Sequence, residues 1–274
     1  MLHDQSFDWL PPSCQRQTGR RTSRKRKRGC VKVEIAIYSL LIIIGLITGS
    51  FLNVCISRIP EEGSIIYPPS RCPKCKTKIK IYDLIPLISY FILRGRCRHC
   101  GERISIRYPI VEALTALLFV LFYIKCGISV QFAAFLILSI LLILISFMDI
   151  ETMMIPDILM LLGIAGGLAY SIYNGRLTDS LTGMCFGFLF MFIHAEGGKY
   201  FLKKEALGDG DVKFMVMLGA FLGIEKTILS LVAGSILGVV VSLLAVRLGR
   251  LKMEDYIPFA PFLALGAVVS ILIR

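Results

Sequence analysis

Eight apolar stretches dominate this chain, most of them near the roughly 20 residues that carry a helix across the hydrocarbon core of a bilayer. They cover about residues 34–56, 108–125, 129–148, 156–173, 179–195, 211–224, 227–246 and 257–273, the sixth being the shortest. In lipid a helix satisfies its own backbone donors and acceptors, so runs of this kind fold as spanning helices. A hydrophobic share of 55% and a mean hydropathy of +0.72 exclude a soluble enzyme built on one core. The expectation is an all-α polytopic membrane protein of about eight transmembrane helices, with one small cytoplasmic insert carrying a zinc knuckle.

The net charge of +12 sits mostly in two places. Residues 1–32 hold nine Lys/Arg against two Asp, and residues 57–107 hold eleven against four acids. If the insert 57–107 is cytoplasmic, eighteen basic residues share its face, among them Lys199, Lys203, Lys204, Lys213, Arg247, Arg250 and Lys252. Four lie on the other face: Lys125, Arg176, Lys226 and Arg274. The positive-inside rule therefore puts the insert in the cytoplasm and, with eight spans, both termini outside. That strands the basic tail on the wrong face. Two readings of the tail stand. It is a disordered basic segment, or residues 1–30 are untranslated, Lys25 to Gly29 being a ribosome-binding site read in frame and Val31 or Val33 the start. No signal-peptide cleavage site follows it. The chain divides into tail 1–33, first transmembrane helix 34–56, insert 57–107 and transmembrane core 108–274. The insert lacks the interleaved aromatics of a nucleic-acid reader, so nucleic acid is not an expected partner.

Cys72-Pro73-Lys74-Cys75 and Cys97-Arg98-His99-Cys100 form a Cys-x2-Cys-x21-Cys-x2-Cys pattern within that insert. Two close pairs of thiolates suit a closed tetrahedral zinc site that staples a loop without a core of its own. The spacing suits iron as well. Redox-active pairs are disfavoured because two occur without a thioredoxin-like setting, and His99, inside a knuckle, reads as a bystander.

An acid within a membrane span is a functional candidate by default, since a carboxylate at a helix centre costs roughly 2.5–3.5 kcal/mol on insertion scales. Five acids fall at span ends on the insert's side: Asp149, Glu151, Asp157, Asp209 and Asp211. Asp211 belongs to Gly208-Asp209-Gly210-Asp211-Val212-Lys213, whose glycines let the backbone approach another helix or an extended peptide. Two carboxylates about 4 Å apart repel by roughly 4 kcal/mol at an effective dielectric of 20. One member of such a pair stays protonated while the other is ionised, the state an aspartic protease uses. Glu151 and Asp157 suit equally a role as acids flanking helix ends, Asp157 in a first turn after Pro156. There is no Walker lysine motif, no Gly-x-Ser-x-Gly and no His-Glu-x-x-His, and three histidines (His3, His99, His194) leave little room for a Ser-His triad.

These residues resemble the bacterial type IV prepilin peptidases, bifunctional leader peptidase/N-methyltransferases of the GxGD aspartic protease class. Gly49 to Val54 followed by Arg58-Ile59-Pro60, Ser70 to Cys75, Pro86 to Tyr90, Leu93 to Cys97 and Ile104 to Pro109 with Glu112 are similar to the family's motifs in order. So are Asp149 with Ile155-Pro156-Asp157, Gly208 to Lys213, and Pro258 to Gly266. The resemblance covers about residues 34–274. It implies catalytic Asp149 and Asp211, supported by Gly208, Gly210, Lys213 and Asp157, and structural zinc on Cys72, Cys75, Cys97 and Cys100. It implies a prepilin or pseudopilin substrate with a basic leader and a hydrophobic helix. Cleavage follows the leader's last glycine at the cytoplasmic face of the bacterial inner membrane. The new N-terminus is then methylated from S-adenosylmethionine, an activity the family associates with the insert; no residue here reads as a site for that donor. Asp209 stands where a small or apolar residue is usual, Ala260 replaces a usual glycine, and the basic tail has no counterpart.

Three rivals are less well served. A peptidase without methyltransferase activity is expected to lack the cysteines. A proton-carrying transporter or scaffold leaves the glycine-flanked acid and the insert unexplained. A zinc hydrolase needs an open metal position, which four thiolates do not leave.

Overall fold

The computed structural model describes residues 24–61, 63–202, 208–249 and 256–273. Among these lie eight α-helices: α1 (Arg24–Arg58), α2 (Ile88–Ile92), α3 (Arg107–Cys126), α4 (Val130–Thr152), α5 (Asp157–Tyr173), α6 (Leu177–Leu202), α7 (Asp209–Arg247) and α8 (Ala260–Leu272). All but α2 coincide with the expected spans, and α1, α3, α4, α6 and α7 are long and apolar enough to cross a membrane. The helices α5 and α8, with 17 and 13 residues, reach only about 25 and 20 Å at 1.5 Å per residue. α1 starts inside the stretch read as tail, so Arg24 to Val33 are helical; residues 1–23 lie outside the described residues.

The described residues form two compact units, those up to 53 together with 69–136, and those of 54–68 together with the ones from 137 onward. In the first, α1 and α3 run antiparallel at close range. A Cβ on Gly45 would lie 2.5 Å from Ala116 Cα, and one on Gly49 2.6 Å from Glu112 Cα. This is the small-xxx-small seam by which helices associate where lipid provides no hydrophobic drive. Polar bonds fix the register: Asn53 Nδ2 donates to Tyr108 O at 3.1 Å, and Tyr123 Oη to Glu34 Oε2 at 3.1 Å.

Each cysteine pair of the same unit closes a small knuckle, and the two are built alike. The N–H of Cys72 donates to Thr77 O and that of Cys97 to Glu102 O. Arg71 bridges Lys78 as Arg96 bridges Arg103. The residue after each second cysteine has positive φ, Lys76 at 57° and Gly101 at 70°. An Asp83–Arg98 ion pair braces the second knuckle, and the Arg98 guanidinium holds the Asp83 carboxyl below the usual range. Before α2 the chain makes a γ-turn at Leu87 (φ 58°, ψ −51°), with Ile88 N–H donating to Pro86 O. That conformation is rare and strained. The buried Glu112 side chain clamps it, Oε2 accepting the Leu87 N–H at 2.8 Å.

The second unit is organised around α7, which packs against α5, α6 and α8. Spans six and seven are expected as separate helices, 211–224 and 227–246. The structure does separate two helical segments within α7, but the division falls at one residue, Gly223 (φ 74°, ψ 178°), and Glu225 and Lys226 are helical. Two of the backbone groups freed by the break have side-chain partners. Ile224 N–H donates to Asp179 Oδ1 at 3.1 Å, and the Ala220 carbonyl that it abandons accepts Ser171 Oγ and Ser180 Oγ. Such repair is what an interrupted membrane helix requires. A Cβ at Gly223 would lie 2.2 Å from Asp179 Oδ2, and the backbone there is open to glycine almost alone. Gly223→Ala is therefore expected to cost about 1–3 kcal/mol from backbone strain, more where Asp179 is displaced. Gly166→Ala, whose Cβ meets only Phe221 Cζ at 3.5 Å, is expected to be near neutral. Thermal melts of the two variants in detergent make the comparison; equal melting would show that the break is not needed.

Candidate active site

The acids that the sequence put at one membrane face meet within the second unit. Asp149 lies in the last turn of α4 and is buried. Its Oδ2 accepts the backbone N–H of Ala260 at 3.1 Å. Ala260 is the first residue of α8, so the carboxylate sits at the positive end of that helix and satisfies one of its orphan donors. Pro261, next in line, has no N–H to satisfy.

Asp211 is the third residue of α7, with Gly208 as N-cap. This is one half of a capping box, the half in which the third residue's side chain turns back toward the cap, and the Gly208 N–H faces the Asp211 carboxylate. The turn brings Asp211 within electrostatic reach of Asp149. Asp211 Oδ1 is buried and finds no hydrogen-bond partner in the protein. A buried acceptor without a partner is uncommon, and each one calls for an explanation.

The two glycines differ. A Cβ on Gly210 would press on Ile155 at 3.1–3.3 Å, so this glycine lets the start of α7 close on the segment between α4 and α5. Gly208 has extended backbone (φ −76°, ψ 147°) and ordinary clearance, so its lack of a side chain keeps the space before Asp211 open. Asp209, the first residue of α7, is exposed at the helix's positive end. Lys213 Nζ bonds Asp157 Oδ1 at 2.6 Å and ties the N-terminal ends of α5 and α7 together. Both partners are about half exposed or more, and such pairs contribute at most about 1 kcal/mol. Lys213→Ala is accordingly expected to lower stability by less than about 1 kcal/mol, read by thermal melt. Glu151 is exposed on the last turn of α4.

A cleft of about 620 Å³ opens over these groups. Asp149, Asp211, Asp209 and Asp157 line it together with Ile155 and Ile59-Pro60. Arg58 shapes the turn that carries Ile59 and Pro60, donating to the carbonyls of Ser64 and Pro68 at 2.9 and 2.7 Å. Carboxylates paired in an open cleft with apolar walls can activate water against a peptide carbonyl. The contact sequence reasoning missed is Ala260. Its signal was only the Pro258 to Pro261 stretch, because a backbone N–H leaves no mark on residue type.

The four cysteine sulfurs of the first unit lie within 4.8 Å of one another, with Cys72 Sγ 3.7 Å from Cys100 Sγ. Four sulfurs about 2.3 Å from a tetrahedral metal sit about 3.8 Å apart, so the cluster could hold one. Hydrogen bonds from Thr77 pull the Cys75 thiol down to about 6. Backbone N–H groups of Cys100 and His99 lower Cys97. At Cys100 the Glu102 N–H pulls down, but desolvation and the three neighbouring thiols outweigh it and push the group up to about 11.

Residues 43–126 match the family described as "Bacterial Peptidase A24 N-terminal domain", and residues 136–243 match "Type IV leader peptidase family". Curated relatives agree. A protein of Myxococcus xanthus named "Prepilin leader peptidase/N-methyltransferase" is 41% identical over 207 residues, 74% of this chain and 62% of the relative, so the match spans under two thirds of that protein. Proteins with the same name from Aeromonas salmonicida and Bacillus subtilis are 32% and 34% identical, over 86% and 85% of this chain and 90% and 93% of theirs. No solved structure matches the chain significantly.

Proposed function

The chain belongs to the type IV leader peptidase family, peptidase A24, and on that premise we propose that it cleaves prepilin leaders with Asp149 and Asp211 as a catalytic dyad. It is a multi-pass membrane protein and an aspartic leader peptidase/N-methyltransferase. The observation that carries the dyad is the juxtaposition of Asp149, held by Ala260 N–H, with Asp211, which lines the same cleft and whose buried Oδ1 has no hydrogen-bond partner in the protein.

The pair shares one proton. The ionised member takes a proton from water as the water oxygen attacks the scissile carbonyl carbon, while the protonated member donates to the carbonyl oxygen. Collapse of the tetrahedral diol breaks the C–N bond, and the departing amine receives a proton from the dyad. The pair acts as a unit, so neither role belongs to one residue. Gly208 and Gly210 leave room for an extended backbone, and the substrate's hydrophobic helix stays in the bilayer. The count of Lys/Arg across the spans supports a cytoplasmic active site in a bacterial inner membrane.

Methylation of the new N-terminus from S-adenosylmethionine is the second activity. The four thiols of the insert would hold zinc, which supplies structure there and no catalytic position. The test is to incubate the purified chain with a prepilin, with and without S-adenosylmethionine, and weigh the product. Cleavage after the leader's last glycine, with one methylene gained only when the donor is present, is expected. An intact leader overturns the reading.

A further inference from the structure

We propose that the insert docks on the bilayer itself: the apolar face of α2, with Ile81 and Ile85 just ahead of it, is seated in the headgroup–acyl boundary. Ile88, Phe91 and Ile92 follow an i, i+3, i+4 pattern and are 57%, 70% and 70% exposed, so they form one face. Ile81 is 86% exposed beside them. The opposite face is spoken for, with the Tyr90 ring packed on Gly95. Apolar side chains gathered on a segment this short have no reason to face water, and a contiguous patch of them marks a contact site.

Depth says what the contact is. The Leu87 N–H that opens α2 is bonded to Glu112, five residues inside α3. At 1.5 Å per residue that is about 7.5 Å along the axis from Arg107. α3 is one of the membrane-crossing helices, so α2 is tethered beside its first two turns, at the level where interfacial segments bury their apolar face. Charge complementarity agrees. Lys80 precedes the patch and Arg94 and Arg96 follow it, in an insert with eleven Lys/Arg against four acids. Cations flanking an apolar face match anionic headgroups above acyl chains. The strained γ-turn at Leu87 is then the device that turns α2 toward the lipid. The inference rests on α3 crossing the bilayer and not on the catalytic dyad.

The experiment uses the full chain in nanodiscs containing anionic lipid. The native Trp9 is removed by Trp9→Phe, and a single fluorophore is introduced by Phe91→Trp or, for comparison, by Lys78→Trp on the exposed first knuckle. With lipids brominated near the carbonyl end of the acyl chain, emission from position 91 is expected to fall about twofold while that from position 78 holds. Aqueous iodide is expected to do the reverse. Iodide quenching at position 91 without bromolipid quenching overturns the proposal. So does protection from both quenchers, which would place a second copy or another protein over the face. Prepilin cleavage by each variant, measured alongside, shows that the chain is folded.

Discussion

Asp149→Ala and Asp211→Ala, each made alone, are expected to lower prepilin cleavage by about 10³-fold or more. Either change leaves one carboxylate, which cannot both accept the water's proton and donate to the carbonyl oxygen. The two variants should differ in stability, and the difference separates chemistry from folding. Asp149→Ala removes the acceptor of the buried Ala260 N–H and exposes α8 to the loss of its cap, at about 1–3 kcal/mol. Asp149→Asn retains an oxygen for that N–H and is expected to melt close to wild type while remaining inactive. At Asp211 the buried Oδ1 bonds nothing in the protein, so the penalty there is limited to the Gly208 N–H that faces the carboxylate at the edge of α7, and a smaller loss is expected. Asp157→Ala and Asp209→Asn, altering exposed acids of the same cleft, are expected to stay within about tenfold of wild type. The readouts are a gel-shift processing assay and a thermal melt on each protein. Cleavage retained by either Asp149 or Asp211 variant would end the dyad assignment.

Much of this was legible in the sequence, for a physical reason. Bilayer thickness imposes run lengths, so the spans were visible as hydropathy, and the insert stood out as the one long polar interruption. Thiol spacing marks a metal cluster because each knuckle must place two sulfurs on one centre. What the sequence hid were features that depend on backbone. Nothing in the residue types around the sixth and seventh spans marks Gly223 as the point of division. The break falls at Gly223 because Asp179, 44 positions earlier, takes over the Ile224 N–H. Ala260 looked like a mild departure from a glycine, yet its backbone N–H is the donor to Asp149. A tether between Glu112 and the Leu87 backbone is equally silent, because it involves a side chain and an amide 25 positions apart. Arg24 to Val33 read as tail by their charge, whereas helix continuity carries them into α1.

Loss of the metal should be the largest single change in the insert. Replacing Cys72 or Cys97 by Ser is expected to abolish binding of one divalent ion per chain and to make residues 69–106 sensitive to protease. It should stop methylation while leaving leader cleavage largely intact. Structural zinc contributes about 10–16 kcal/mol of apparent binding energy in small metal domains, far more than the bonds that otherwise hold this segment. Those bonds are mostly exposed or local: the backbone bonds within each knuckle, two isolated bridges, the Lys74–Glu102 and Asp83–Arg98 pairs and the Glu112 clamp. The thiols themselves argue for a cation. Cys75, near 6, ionises readily at neutral pH, but Cys100, near 11, does not while its neighbours crowd it, and a divalent ion in the centre reverses that repulsion. Because binding releases thiol protons, the sign of the pH dependence follows. Occupancy is expected to fall on acidification, most steeply once Cys75 too is protonated below about 6. Elemental analysis of protein dialysed across that range measures it and also distinguishes zinc from iron. Protease resistance and methylation that persist in metal-free protein would show that the four cysteines do not hold the insert together.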